Sequence, residues 1–84
     1  MIRGGMRGGV LSAPQAYVLG HRLRAVREEQ GLTRGQAADV ADLFPTWISQ
    51  IEGGEIHDLD TMRAYAHALG TRITGLRAAR IRRS

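Results

Sequence analysis

The sequence contains no cysteine and no lysine, and no apolar run has the length of a membrane span. Without cysteine, neither disulfides nor thiolate metal sites can supplement the core, and this usage fits a reducing cytoplasm. A membrane helix needs roughly 18 consecutive apolar residues, and the start of the chain lacks the apolar stretch of a secretory signal. We therefore expect a cytoplasmic chain without a membrane segment, whose 84 residues form one domain stabilised by packing alone.

The charge is concentrated at the two ends of the chain. The net charge is +4, and all twelve basic residues are arginine. A basic balance indicates a polyanionic partner, although a GC-rich genome would also favour arginine over lysine. Residues 12–69 contain five arginines and all eight acidic residues. In residues 1–11 and 70–84 the only charged side chains are arginines. The middle of the chain is therefore mildly acidic, which argues against a simple basic binding face there.

The first half of the chain predicts two helices. Ser12 is a good N-cap for a helix over about 13–30, with a proline in its first turn and a glycine after its end. Thr33 and Gln36 have the spacing of a capping box for a short second helix, which stops near Asp42. Its inner face would consist of Ala37, Ala38 and Ala41.

The second half predicts two more helices. Pro45 suits the first turn of a third helix that ends at Gly53-Gly54, with isoleucines 48 and 51 facing inward. Asp58 is the N-cap of a fourth helix, which Gly70 closes. The apolar stripe of that helix is Leu59, Met62, Ala66 and Leu69.

These elements divide the chain into three segments. Residues 1–11 hold four glycines and read as a flexible Gly/Arg arm. Residues 12–76 form the helical domain, and residues 77–84 form a basic tail. Within residues 71–84, Ile73 and Leu76 are compatible with a fifth helix or a short strand. The fold class is thus all-α, a compact bundle of four to five helices.

Only the three residues 42–44 separate the second and third predicted helices, so the third can project from the body and lie in a major groove about 12 Å wide. From Leu19 to Leu76 the sequence resembles the phage-repressor/Cro-like (Xre-type) helix-turn-helix family, which is a lambda-repressor-like fold. The strings that carry this resemblance are LGHRLRAVR (19–27), GLT (31–33), WISQIEGG (47–54) and DLDTM (58–62), together with Ala38 as the small residue between helices 2 and 3.

The resemblance implies a sequence-specific double-stranded DNA-binding regulator that reads bases from the third helix. It also implies a buried ion pair between Arg27 and Glu52, in which each charge satisfies the other. Arg34 matches a phosphate-contacting position at a helix N-terminus. Glutamine can pair bidentately with adenine, and threonine can contact thymine. The implied base-contacting residues are Pro45, Thr46, Ser49 and Gln50.

The sequence departs from the family pattern at several positions. Asp42 stands where glycine is usual in the turn, and aspartate tolerates the left-handed conformation. After Glu52 the basic or amide residues are missing, so the backbone N–H groups of Gly53 and Gly54 would have to contact phosphate. Two interpretations of the aromatic residues in this region remain open: they fill volume lost to alanines in the second helix, or they form a surface patch for a partner. The patch residues are Val40, Phe44 and Trp47.

The terminal arginines are the remaining candidates for DNA contacts, in the minor groove or on phosphates. They are Arg3, Arg7, Arg77, Arg80, Arg82 and Arg83. We expect a homodimer on a two-fold operator, because one short helix contacts few base pairs. Residues 51–70 also resemble HigA-type antitoxins, which would add a toxin as a possible protein partner.

We expect neither an enzyme nor a cofactor. The three histidines are scattered, and no nucleophile motif or phosphate-binding loop is present. His57, Asp58 and Asp60 come close together in sequence, but the N-cap explains Asp58 better than a metal does.

Overall fold

The computed structural model describes residues 9–72, which form four helices: Ala13–Glu29 (α1), Arg34–Ala41 (α2), Pro45–Glu52 (α3) and Leu59–Ala68 (α4). The predicted all-α fold is confirmed. The prediction of a fifth helix or strand from Ile73 onward and that of the basic tail lie outside the described residues. No helix within residues 9–72 is long and apolar enough to cross a membrane.

The predicted N-caps are present. The Thr33 hydroxyl accepts a hydrogen bond from the Gln36 N–H, and the Gln36 side chain accepts one from the Thr33 N–H. Ser12 caps α1 in a similar box with Gln15, and Asp58 caps α4. Because each cap satisfies backbone donors at a helix start, these side chains fix where three of the helices begin.

The helices also end alike, each followed by a residue in the left-handed region: Gly31, Asp42, Gly54 and Gly70. At Asp42 the φ and ψ angles are 59° and 44°, which confirms that aspartate adopts the conformation that the turn between α2 and α3 requires. The chain can therefore reverse over residues 42–44 and bring α3 across α2.

The core lies where the four helices meet. Leu23 of α1, Ile48 and Ile51 of α3, and Met62 and Tyr65 of α4 are its largest fully buried side chains. The predicted inward positions Ala37 and Ala38 are buried, while Ala41 is half-buried. Leu32, Leu43 and Leu59 pack against this cluster from its edge. Packing of this kind is what a chain without disulfides depends on.

Gly20 lets α1 touch the backbone of α3. A Cβ atom at this position would lie 2.2 Å from the carbonyl oxygen of Ile51 and 3.1 Å from that of Glu52. No side chain fits in that space, so the C-terminal turn of α3 rests directly on the α1 backbone.

The predicted arm needs one correction, because residues 9–11 are not free. The Leu11 side chain is only 9% exposed, and the Leu11 N–H donates to the carbonyl oxygen of His57 over 2.8 Å. Val10 forms an isolated antiparallel bridge with Asp58. Burial of an apolar side chain and these backbone bonds outweigh the flexibility that the neighbouring glycines suggested.

Candidate nucleic-acid interface

One open cleft collects most of the residues that the sequence singled out. Its lining comprises Arg34 from α2, Pro45, Thr46, Ser49 and Gln50 from α3, and Glu55 from the loop after α3. All four predicted base-contacting residues and the predicted phosphate-contacting arginine thus share one surface. Glu55 was not predicted to belong to it.

The geometry of α3 explains why these side chains share a face. Ile48 and Ile51 point into the core and are fully buried. Thr46 and Ser49 lie on the opposite side and are exposed, and Gln50 is half-buried beside them. Because one face of α3 is held by the core, its polar face is presented outward in a fixed orientation.

The N-terminal end of the cleft favours an anion. Helices α2 and α3 both begin there, with Arg34 and Pro45 as their first residues. Phe44 provides no side-chain cap for α3, so the first-turn N–H of Thr46 remains available to a ligand or water. The Arg34 side chain is about half exposed beside these helix ends. Positive helix ends and a guanidinium suit a phosphate group.

At the C-terminal end of the cleft, the structure does not favour the prediction that the N–H groups of Gly53 and Gly54 contact phosphate. The Gly53 N–H donates to the Ser49 carbonyl over 2.9 Å, and the Gly54 N–H donates to the Ile51 carbonyl over 3.2 Å. Both donors are therefore used at the end of α3. The Gly53 N–H continues the helical pattern, and the Gly54 N–H forms a Schellman motif together with the Glu55 N–H, which donates to the Gln50 carbonyl. A Cβ atom on Gly54, whose φ is +81°, would also lie 2.9 Å from the Cα of Tyr17. Packing and helix termination thus account for these two glycines.

The resemblance implied an ion pair between Arg27 and Glu52, and the structure contains it. Arg27 donates from Nε to one Glu52 oxygen over 2.6 Å and from Nη2 to the other over 3.0 Å. Both residues are buried, and Arg27 also donates to the Leu32 carbonyl over 2.7 Å. This bidentate geometry is what allows the two charges to be buried together.

Two further residues complete this network. The Tyr65 hydroxyl donates to Glu52 over 2.8 Å, and Arg34 Nε lies 3.5 Å from the other Glu52 oxygen. Tyr65 was not predicted to take part, although its position three residues after Met62 continues the apolar stripe of α4. Glu52, the last residue of α3, therefore links that helix to α1, to α4 and to the half-exposed Arg34 of α2.

The pKa values follow from these contacts. Burial acts to raise the pKa of Glu52, but the hydrogen bonds from Arg27 and Tyr65 outweigh it, and the pKa is lowered. The pKa of Arg27 is raised by its hydrogen bonds to Glu52, and that of Tyr65 is raised by burial and by Glu52. The depressed pKa of Glu52 stabilises the fold above its unfolded value of about 4.3. That contribution is lost as the pH falls through the folded pKa.

The predicted patch of Val40, Phe44 and Trp47 is on the surface. Their side chains are 55%, 73% and 40% exposed, respectively. Leu43, rather than Phe44, packs against the core beside the small alanines of α2. The terminal arginines named above all lie outside the described residues.

Two short helices joined by a three-residue turn, the second with an exposed polar face, define a helix-turn-helix protein. The chain matches the model of a helix-turn-helix domain family over residues 18–83 and belongs to that family. It is 34% identical over 59 residues to the immunity repressor protein of Bacillus phage phi105, a match that confirms the resemblance to phage repressors. That alignment covers 69% of this chain and 41% of the repressor, so the chain spans less than half of that relative.

A solved structure supports the fold. The clp gene regulator ClgR from C. glutamicum superposes with a TM-score of 0.65 and 24% sequence identity. The match covers 79% of this chain and 83% of that one. At this identity the likeness is evidence for the fold alone.

Proposed function

We propose that the protein is a transcriptional regulator of the repressor type that binds double-stranded DNA sequence-specifically. The observation that carries this proposal is the shared cleft, in which the exposed face of α3 lies beside the N-terminal ends of α2 and α3. In a regulator of this family, α3 is the element that enters the major groove. The proposed activity is binding and not catalysis.

The cleft residues divide into two roles. Gln50 pairs with adenine through its amide, and Thr46 contacts thymine or a base-edge donor. Ser49 and Pro45 lie on the same face and complete the base contacts. Arg34 and the first-turn N–H groups beside it bind phosphate, which fixes α3 in the groove.

The proposed oligomeric state on DNA follows from the small size of this interface. One eight-residue helix covers too few base pairs for a unique site, so we propose a homodimer on a two-fold operator. Residues 12–69 are net acidic, and the additional phosphate contacts come from the terminal arginines. The cytoplasm is the compartment in which such a protein meets DNA.

The test is selection of bound duplexes from random DNA at several salt concentrations, with the wild type and with Gln50→Ala. We expect a two-fold sequence whose affinity falls steeply with salt. Gln50→Ala should weaken binding to it by about 1–3 kcal/mol, the size of one bidentate base contact. Repeating the salt series without residues 77–84 tests the terminal arginines, and an unchanged slope would exclude them.

A second candidate function is a module that keeps the fold and binds a protein, such as a toxin, through the patch of Val40, Phe44 and Trp47. The exposure of these three apolar side chains favours it. The same selection separates the two functions. Absence of any enriched sequence, with the variants folded, would favour the protein-binding module over the DNA-binding regulator.

A further inference from the structure

An acidic side chain occupies the cleft among the base-contacting residues. Glu55 lines it together with Ser49 and Gln50, and the Glu55 side chain is exposed. Among residues 9–72 no cation lies within ion-pairing distance of its carboxylate, whereas the carboxylates of Glu28 and Glu52 each have two and that of Asp60 has one. A carboxylate without a partner on a DNA-facing surface opposes binding unless the DNA supplies a donor.

The backbone fixes where this carboxylate lies. The Glu55 N–H donates to the Gln50 carbonyl over 2.9 Å, which attaches the residue to the last turn of α3. A Cβ atom built on Gly53 would lie 3.6 Å from a Glu55 carboxylate oxygen, so the side chain folds back over the end of the helix. Glu55 is therefore beside Gln50 and at the opposite end of the cleft from the helix N-termini.

The positions of hydrogen-bond donors in the major groove determine which bases this side chain can bind. A carboxylate accepts hydrogen bonds and donates none. Cytosine N4 and adenine N6 are donors at the groove edge, whereas guanine O6 and N7, thymine O4 and the phosphates are acceptors. Every base pair carries one such donor, but on only one of its two bases. A guanine or a thymine facing Glu55 would therefore leave the carboxylate desolvated and without a donor.

We propose that Glu55 is a specificity-determining residue, which requires a cytosine or an adenine beside the base pair that Gln50 reads. It lowers the affinity for DNA in which a guanine or a thymine faces the carboxylate at that position, and so separates the operator from random sequence. This inference rests on the proposed function and extends it to a residue outside α3.

The experiment compares the wild type, Glu55→Gln and Glu29→Gln in selections from random duplexes, followed by affinity measurements. Glu29 is an exposed glutamate at the end of α1, outside the cleft, so its variant controls for the change in net charge. Glutamine can both donate and accept. We expect Glu55→Gln to tolerate guanine or thymine at the position where the wild type requires cytosine or adenine, and to retain the preference set by Gln50. Its affinity for duplexes with a mismatched base there should rise about tenfold, the size of one hydrogen bond to a charged group, while Glu29→Gln resembles the wild type.

Three outcomes would overturn the inference. If Glu55→Gln tightens binding to every sequence equally, the carboxylate repels DNA without reading it. If its selected sequence and affinities match those of the wild type, Glu55 has no role in binding, and the proposed function still stands on the Gln50-dependent sequence. If the wild type selects no sequence at all, the proposed function fails and the role of Glu55 fails with it.

Discussion

The two ends of α3 differ in the hydrogen-bonding groups that they present to solvent. At the N-terminal end, two helix starts and the half-exposed Arg34 leave hydrogen-bond donors facing outward. At the C-terminal end, the N–H groups of Gly53 and Gly54 are already bonded to α3 carbonyls. There Glu52 is buried in an ion pair and Glu55 presents a carboxylate.

This difference assigns DNA affinity to one end of α3 and attachment of the helix to the rest of the domain to the other. In the proposed function, the N-terminal end binds phosphate and so provides the general attraction to DNA. The C-terminal end is fastened to α1 and α4, so it sets the angle at which α3 leaves the body of the domain. A change at the N-terminal end should therefore alter DNA binding with little effect on stability, whereas removal of the buried contacts at the C-terminal end should chiefly lower stability.

The largest expected effect is that of Glu52→Ala at the C-terminal end. Removal of the carboxylate leaves Arg27 buried without its bidentate charge partner, which costs about 3–5 kcal/mol in the free energy of unfolding. Urea or thermal unfolding measures it. The control is Asp60→Ala, whose exposed carboxylate lies 4.0 Å from Arg63 on the surface, and which should cost less than about 1 kcal/mol. Equal stability of the two variants would contradict an anchoring role for Glu52.

A smaller loss of stability is expected for Gly54→Ala. The left-handed backbone costs about 1–2 kcal/mol for alanine, and the close approach of the Tyr17 backbone adds about 1–3 kcal/mol of overpacking. Gly31→Ala is the matched control, because Gly31 has a φ of +73° and nothing within 4 Å of its missing Cβ. Unfolding curves should place Gly54→Ala clearly below Gly31→Ala. Coincident curves would show that packing against α1 is unimportant at this end.

The smallest effect, and the one that isolates the N-terminal end, is that of Arg34→Ala on DNA binding. Loss of one phosphate contact should weaken binding to all sequences alike and reduce the slope of log K against log salt by about 0.9. Arg63→Ala serves as the control, since Arg63 is an exposed arginine on α4 near Asp60. The role assigned to Arg34 would be lost if both variants kept the slope of the wild type, or if Arg34→Ala changed the preferred bases.

Local signals made most of the fold predictable. Ser12, Thr33 with Gln36, and Asp58 mark helix starts because caps act within three residues, and the structure contains all of these caps. Burial of the apolar positions that recur every three or four residues followed from helical periodicity. The pairing of Leu11 with His57 could not be read in this way, since it joins residues far apart in the chain and depends on how the helices have packed.

The candidate site was predictable only in part. The resemblance to the helix-turn-helix family predicted which residues of α3 would share a base-contacting face, and it predicted the Arg27–Glu52 ion pair. It supplied neither the approach of Arg34 to Glu52 nor the place of Glu55, because both depend on side-chain positions across two elements. The bonded N–H group of Gly54 had a signal in the sequence, since a glycine just past the end of a helix is typical of a motif that uses this donor.

The contact at Gly20 has a consequence for how such a protein can change over evolution. Because the inner face of α3 is held by the core and by the close approach to the α1 backbone at Gly20, its orientation does not depend on the residues on its outer face. Thr46, Ser49 and Gln50 can be exchanged while the scaffold that aims them stays the same. New operator sequences are then reachable by single substitutions that leave the folded domain intact, provided that position 20 remains glycine.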